Sequence, residues 1–177
     1  IIPYLDKLSK TAKKIGAVNC VTISKKKKLK GYNTDYHGFK KSIKPLLKDH
    51  HKKALILGTG GASKAIAYAL RSLKIEYDFV SRTADEFQYK YEELDASIFE
   101  EYTVIINTTP VGTHPNVDDC PNLDYSLFTK KHIAYDLIYN PEETAFLRKA
   151  KAQGAVTKNG YEMLVLQAEK AWKIWNE

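Results

Sequence analysis

The sequence predicts an α/β protein built around a doubly wound parallel sheet, and three observations carry that prediction. Lys53-Ala54-Leu55-Ile56-Leu57 is a short apolar run that ends on Gly58-Thr59-Gly60-Gly61-Ala62-Ser63, and a small-residue helical stretch follows. An apolar run bounded by glycine reads as a strand buried on both faces. Further apolar runs at residues 77–80, 103–107 and 132–137 alternate with segments of helical spacing, the pattern of parallel strands joined by right-handed crossovers. Each run ends in a polar turn at its carboxyl end, where open α/β sheets bind their ligands.

Taken in order, Ser9 is a suitable N-cap for a short helix over residues 9–15. Residues 17–23 read as a strand and residues 29–32 as its hairpin partner, across the polar tip Lys25-Lys26-Lys27-Lys28. The turn Gly31-Tyr32-Asn33-Thr34-Asp35-Tyr36-His37-Gly38 leads into a helix whose apolar face is Phe39, Ile43, Leu46 and Leu47. Pro45 marks its kink or early end. Residues 49–53 are the polar connection into the central strand, and a helix over 63–73 follows the glycines. The strand at 77–80 ends at Ser81-Arg82-Thr83, and residues 85–91 of the acidic region beyond it are expected to be helical. The strand at 103–107 runs into Thr108-Thr109-Pro110-Val111-Gly112, and a loop rich in Pro, Asn and Asp spans 113–124. The strand at 132–137 leads through Ile138-Tyr139-Asn140-Pro141 to a helix over 142–152 and a short last strand at 154–157. An amphipathic helix over 162–175, carrying Met163, Leu164, Leu166, Trp172 and Ile174, closes the chain.

The glycine-rich turn has the form of a Rossmann-like dinucleotide site. Gly58 permits the tight turn, Gly60 lets a ligand approach the backbone, and small Ser63 allows the helix to pack on the strand. Free N–H groups at the helix start favour a phosphate there. The flanking strand and helix supply the context that separates this pattern from a purely structural turn. An NAD site of this kind places an acid roughly 20 residues later, at the end of the second strand. Ser81-Arg82-Thr83 stands there instead. Arg82 is either an ordinary surface side chain or a planar fork of donors for a 2′-phosphate, and its position favours the phosphate, and therefore NADP over NAD. Asn19, Asn33, Thr34 and Asp35 form a polar set outside this module. Their residue types suit helix capping and substrate ligation equally.

The balance of 28 basic and 21 acidic residues leaves a net charge of +7, which favours anionic partners, phosphorylated cofactors and carboxylates among them. The four-lysine run reads as a solvated hairpin tip, because neither aromatic interleaving nor a nucleic-acid-binding motif accompanies it. No apolar run approaches the roughly 18 residues of a membrane helix. Cys20 and Cys120 have neither metal spacing nor a disulfide framework, which fits a reducing cytoplasm. The expectation is a cytoplasmic protein, monomer or homodimer, with a small-molecule partner and no nucleic acid, membrane or metal. The opening Ile1-Ile2-Pro3-Tyr4-Leu5-Asp6 begins mid-pattern without Met and reads as the start of a fragment or processed chain.

Six motifs occur together and in order: Gly31 to Gly38, Gly58 to Ser63, Ser81-Arg82-Thr83, Asn107-Thr108-Thr109-Pro110-Val111-Gly112, Asp136-Leu137-Ile138-Tyr139-Asn140-Pro141, and Asn159-Gly160-Tyr161-Glu162-Met163-Leu164-Val165-Leu166-Gln167-Ala168. Together they resemble the shikimate dehydrogenase family over nearly the whole chain. The resemblance implies an NADP-dependent, reversible reduction of 3-dehydroshikimate to shikimate in aromatic amino-acid biosynthesis. It also implies a Rossmann-like domain beside the remainder of a second, smaller α/β substrate domain, with residues 1–34 in the substrate domain, 35–160 in the NADP-binding domain, and 161–177 a helix returning to the substrate domain. By the same resemblance Asn19, Asp35, Tyr139 and Gln167 bind substrate, and Asp35 shares the substrate hydroxyl with a catalytic Lys. Gly58, Thr59, Gly60, Gly61, Ala62 and Ser63 hold the cofactor phosphates, Ser81, Arg82 and Thr83 hold the 2′-phosphate, and Leu137 and Gly160 lie beside the nicotinamide. The family carries that Lys in an Asn-Val-Thr-x-Pro-x-Lys motif a few residues before Ile-Ile-Pro, and Ile1 begins just after that point. No lysine of these 177 residues sits in a matching context. Ser81 stands where Asn is more usual, and Glu86 where a basic residue is common. A quinate/shikimate dehydrogenase of broader specificity and a non-catalytic NADP-binding module are the alternative readings.

Overall fold

Residues 1–177 are described by a computed structural model, organised by two sheets. The first holds β1 (Lys7–Leu8), β2 (Cys20–Ile23) and β3 (Leu29–Tyr32) in the order β1-β3-β2, with β2 antiparallel and β1 parallel to β3. Between β1 and β2 lies α1 (Lys10–Ile15), where the Ser9 hydroxyl accepts from the Ala12 N–H at 3.1 Å. The hairpin forms as expected, on a shorter first strand, and β1 is an addition that two residues are too few to signal.

The helix α2 (Asp35–Ile43) gives way at Pro45 to a single 3₁₀ turn, Lys44–Leu46, because the proline ring cannot continue an α-helix. The second sheet then begins with β4 (Lys53–Leu57), followed by α3 (Gly61–Ser72), β5 (Glu76–Val80), β6 (Gln88–Tyr89), α4 (Ala96–Glu101), β7 (Val104–Asn107), β8 (Ile133–Asp136), α5 (Ala145–Ala152), β9 (Val156–Lys158) and α6 (Tyr161–Trp175). All six strands are parallel, in the order β6-β5-β4-β7-β8-β9. The chain winds outward from β4 on one side, then crosses to β7 and winds outward on the other. The reversal between β4 and β7 is the switch point at which such sheets hold ligands.

Alternation along β4 explains why its sequence is apolar throughout. Ala54 and Ile56 pack into a core with Phe39, Ile43, Ile66, Leu70 and Met163 from α2, α3 and α6. Leu55 and Leu57 pack on the opposite face with Phe99, Phe146, Leu147 and Ala150 from α4 and α5. The expected doubly wound sheet is therefore present, with helices on both faces. No helix is long and apolar enough to cross a membrane.

Several local expectations need correction. Residues 85–91 are not helical: Asp85 accepts from the Phe87 N–H and the Gln88 side chain, and this local turn sets Gln88 and Tyr89 as an edge strand beside Phe79 and Val80. The helix of this region lies later, at α4, where Asp95 accepts from the N–H groups of Ser97 and Ile98. The helix expected from residue 142 begins at Ala145, because Thr144 supplies the N-cap and accepts from Leu147 N–H at 3.3 Å. Strand β9 starts two residues later than expected. On α6, Met163 is buried but Trp172 is 66 % exposed, so the apolar pattern of that helix exceeds what this chain's own core covers.

Candidate functional site

The turn after β4 behaves as its sequence demands. Gly58 has φ +98°, a conformation that residues with a side chain rarely adopt, and a Cβ there would lie 2.9 Å from Thr109 Cγ2. Its N–H donates to Val80 O at 2.8 Å, while Thr108 donates from both N–H and Oγ1 to Leu57 O. Gly60 is the N-cap of α3, and a Cβ on Gly60 or Gly61 would meet nothing within 4 Å. The start of this twelve-residue helix thus opens onto free space with its first N–H groups uncapped by any side chain, a cradle of the right polarity for phosphate. Thr59 is exposed and Ala62 half-buried beside them. Ser63 is buried and donates to Gly60 O at 2.6 Å.

Pairing of Leu57 with Val80 brings Ser81-Arg82-Thr83 alongside that cradle. Ser81 Oγ accepts from the Thr83 N–H at 3.2 Å. Arg82 is exposed and makes no ion pair. Its positive charge opposes the burial that pushes the nearby Tyr91 phenol up. A free guanidinium next to an open helix start suits a phosphorylated ribose.

On the other side of the switch point, Leu137 and Gly160 are in direct contact. A Cβ on Gly160 would lie 1.9 Å from Leu137 O, so only glycine fits. Leu137 N–H donates to Asn107 O, and Gly160 N–H donates to Ile138 O.

The polar set forms where α2 begins. The Asn19 side-chain amide donates to Thr34 Oγ1 at 3.0 Å and to Asp35 Oδ1 at 2.8 Å, and lies 3.5 Å from Gln167 Oε1. Asn19 Oδ1 accepts from the Thr34 N–H at 2.8 Å. Thr34 Oγ1 donates to Gln167 Oε1 at 3.1 Å. The choice between capping and ligation divides among the residues: Asn33 Oδ1 takes the Tyr36 N–H at the helix start, whereas Thr34, the N-cap residue itself, makes no cap bond with its side chain. Gln167 reaches this point because α6 crosses α2 at Gly38, where a Cβ would lie 2.5 Å from Met163 O and 3.1 Å from Gln167 N. Burial holds the Asp35 carboxyl above its ordinary value, and the hydrogen bond from Asn19 partly offsets this.

Of the expected site residues, Asn19, Asp35 and Gln167 converge. Tyr139 does not join their hydrogen-bonded cluster and lies half exposed on the loop after β8. Thr34, fully buried at the centre of the cluster, is a member that reading residue types alone assigned equally to a helix cap. Asp136, Asn107 and Thr144 were also outside the expected set. The sole acid ending the apolar run 133–136 was the available signal.

No protein-family model matches the sequence. The NADP(+)-dependent shikimate dehydrogenase of Caldanaerobacter subterraneus subsp. tengcongensis is 40% identical over 193 residues, a match covering 99% of this chain and 68% of that protein. The chain belongs to the shikimate dehydrogenase family. Among solved structures, shikimate dehydrogenase from Aquifex aeolicus is similar with a TM-score of 0.85 and 39% identity, over 99% of this chain and 67% of that one. The Thermus thermophilus shikimate 5-dehydrogenase, solved with NADP(H) and shikimate, has a TM-score of 0.83 and 35% identity over 98% of this chain and 67% of that one. Both sheets, the glycine turn and the α2–α6 crossing thus lie within the part of the chain shared with shikimate dehydrogenases. The chain spans about two thirds of the length of these relatives.

Proposed function

We propose that the chain acts as a shikimate dehydrogenase, in the NADP-dependent reversible reduction of 3-dehydroshikimate to shikimate. One observation carries the substrate side of this reading. Asn19, Thr34, Asp35 and Gln167, drawn from distant parts of the sequence, converge on one hydrogen-bonded cluster in a chain 40% identical to a named shikimate dehydrogenase. Amide and carboxylate groups placed together suit a polyhydroxylated ring, because each ring hydroxyl both donates and accepts.

Bound NADPH would supply the hydride. The uncapped start of α3 with Gly58 to Ser63 would hold its phosphates, and Arg82 with Ser81 and Thr83 would hold the 2′-phosphate. Leu137 and Gly160 would border the nicotinamide. Asp35 Oδ1 is taken by Asn19, which leaves Oδ2 to accept from a substrate hydroxyl and orient it. Asn19 and Gln167 would bind neighbouring hydroxyls, and Tyr139 would close over them from the loop after β8. In this reading residues 1–34 and 161–177 line the substrate side, and residues 35–160 form the cofactor side. Two free cysteines, Cys20 buried and Cys120 partly so, support a reducing, cytoplasmic setting, with the protein acting as a monomer or homodimer.

Retention on a 2′,5′-ADP resin and release by NADP rather than NAD test the cofactor side. Steady-state assays of the 177-residue chain, with shikimate and with quinate as the control, test the substrate side. The expected result is tight cofactor binding with low shikimate turnover, since the Lys that the resemblance pairs with Asp35 has no match here. Robust turnover by these residues would show that proton transfer does not need that Lys. Failure to bind NADP would overturn the whole reading.

A further inference from the structure

At the carboxyl end of β8 sits a buried carboxylate whose two oxygens are both hydrogen-bonded. Asp136 is 0 % exposed. Its Oδ1 accepts from the Asn107 side-chain amide at 3.0 Å and from the Ile138 N–H at 3.1 Å, and its Oδ2 accepts from Thr144 Oγ1 at 2.6 Å. Three donors from three segments, the ends of β7 and β8 and the N-cap of α5, converge on one side chain. A buried carboxylate is costly unless its lone pairs are filled, and here the filling groups are those that shape the turn 136–138. That turn has no slack elsewhere. Leu137 N–H is held by Asn107 O, Gly160 N–H by Ile138 O, and Gly160 admits no Cβ against Leu137 O.

We infer that Asp136 is a positioning residue for the nicotinamide half of the cofactor, acting through the backbone of Leu137 and Ile138 against Gly160. The inference rests on the reading above that Leu137 and Gly160 border the nicotinamide. It goes beyond that reading by assigning the geometry of this edge to a side chain that touches no ligand. The phosphate cradle is held independently. Asn107 Oδ1 accepts from Thr109 N–H and Oγ1, and Asn107 Nδ2 also reaches Val111 O. The Thr109 contact beside Gly58 is linked to Asp136 only through Asn107, and Gly58 and Thr108 are tied separately, to Val80 O and Leu57 O.

In Asp136→Asn one acceptor becomes an NH₂ group, which must face either Thr144 or the Ile138 and Asn107 donors. Facing Thr144, that NH₂ reverses the bond to the Thr144 hydroxyl; facing Ile138 and Asn107, it loses both; in either case the charge-assisted ties of the turn weaken. The experiment compares dissociation constants for NADPH and for 2′,5′-ADP, together with the fluorescence of bound NADPH, in the wild-type chain and in Asp136→Asn. The expected result is NADPH binding weakened about tenfold with altered bound-state fluorescence, and 2′,5′-ADP binding within about twofold of wild type. Thr144→Val, which deletes one donor, is expected to shift NADPH binding the same way, and Thr144→Ser, which keeps the hydroxyl, to restore it. Should Asp136→Asn not fold, the Thr144 pair decides alone. Equal weakening of both ligands, or no weakening of either, overturns the inference. A wild-type chain that binds neither ligand would instead defeat the cofactor reading on which it rests.

Discussion

Gly38→Ala is the change that best separates packing from composition, because a single methyl group meets the backbone of another helix. The added Cβ would lie 2.5 Å from Met163 O, where ordinary contact between such atoms is about 3.4 Å. No rotamer relieves a clash with a carbonyl, so α6 must move by roughly 0.9 Å at this crossing. Overpacking of this kind costs about 1–3 kcal/mol, and the backbone position of the clash puts Gly38 at the upper end. Replacing a helical Gly by Ala returns about 1 kcal/mol of propensity, which leaves a net loss near 2 kcal/mol. For a chain of this size that corresponds to a fall of about 4–8 °C in Tm. The same shift carries Gln167 away from Thr34 and Asn19, to which it is tied at 3.1 and 3.5 Å. Thermal unfolding followed by circular dichroism measures the loss. Gly61→Ala, at the first residue of α3, is the control, since its Cβ meets nothing within 4 Å, and its Tm is expected at or slightly above wild type. An unchanged or raised Tm in Gly38→Ala would refute the close α2–α6 crossing and, with it, the placement of Gln167.

Three other outcomes are expected. Arg82→Ala should weaken NADP binding about 10- to 100-fold and leave NAD binding nearly unchanged, by loss of a charge-assisted contact to the 2′-phosphate; titration of both nucleotides checks it, and parallel weakening would remove Arg82 from that role. Burial raises Asp136 to about 6 from an ordinary 3.8, so between pH 4 and 6 the unfolded chain gives up its proton before the folded one does. Stability from this group therefore falls as pH rises through that window, by about 1.4 kcal/mol per pH unit and about 3 kcal/mol in all. Denaturant unfolding of the wild type minus Asp136→Asn should show this slope. Tyr135→Phe removes the buried 2.6 Å bond between Tyr135 and Ser42 Oγ while Ser42 keeps Phe39 O, which should cost about 1 kcal/mol and 2–4 °C in Tm.

The misplaced segments share one cause. At residues 85–91 the local composition permits a helix, but pairing of Gln88 and Tyr89 with β5 and the Asp85 side-chain bonds offer the backbone a better set of partners. At residues 142–144 nothing local forbids helix, yet Thr144 is drawn to Asp136 and starts the helix three residues later. Trp172 has helical spacing with buried residues but looks outward, because periodicity identifies an apolar stripe without naming what covers it.

By itself the sequence determined the parallel sheet, its central strand, the glycine turn and the presence of Arg82 where an acid would otherwise follow the second strand. Each of these depends on residues adjacent in the chain: short apolar runs bounded by glycine read as buried strands, and clustered glycines directly after such a run read as a tight turn. Tertiary structure decided the rest. That Asn19, Thr34, Asp35 and Gln167 meet depends on Gly38 allowing two helices to approach across more than a hundred residues of chain, and that Asp136 is buried depends on donors from three separate segments reaching it. Convergence of distant groups is a property of packing distances, and no local pattern of residue types encodes those.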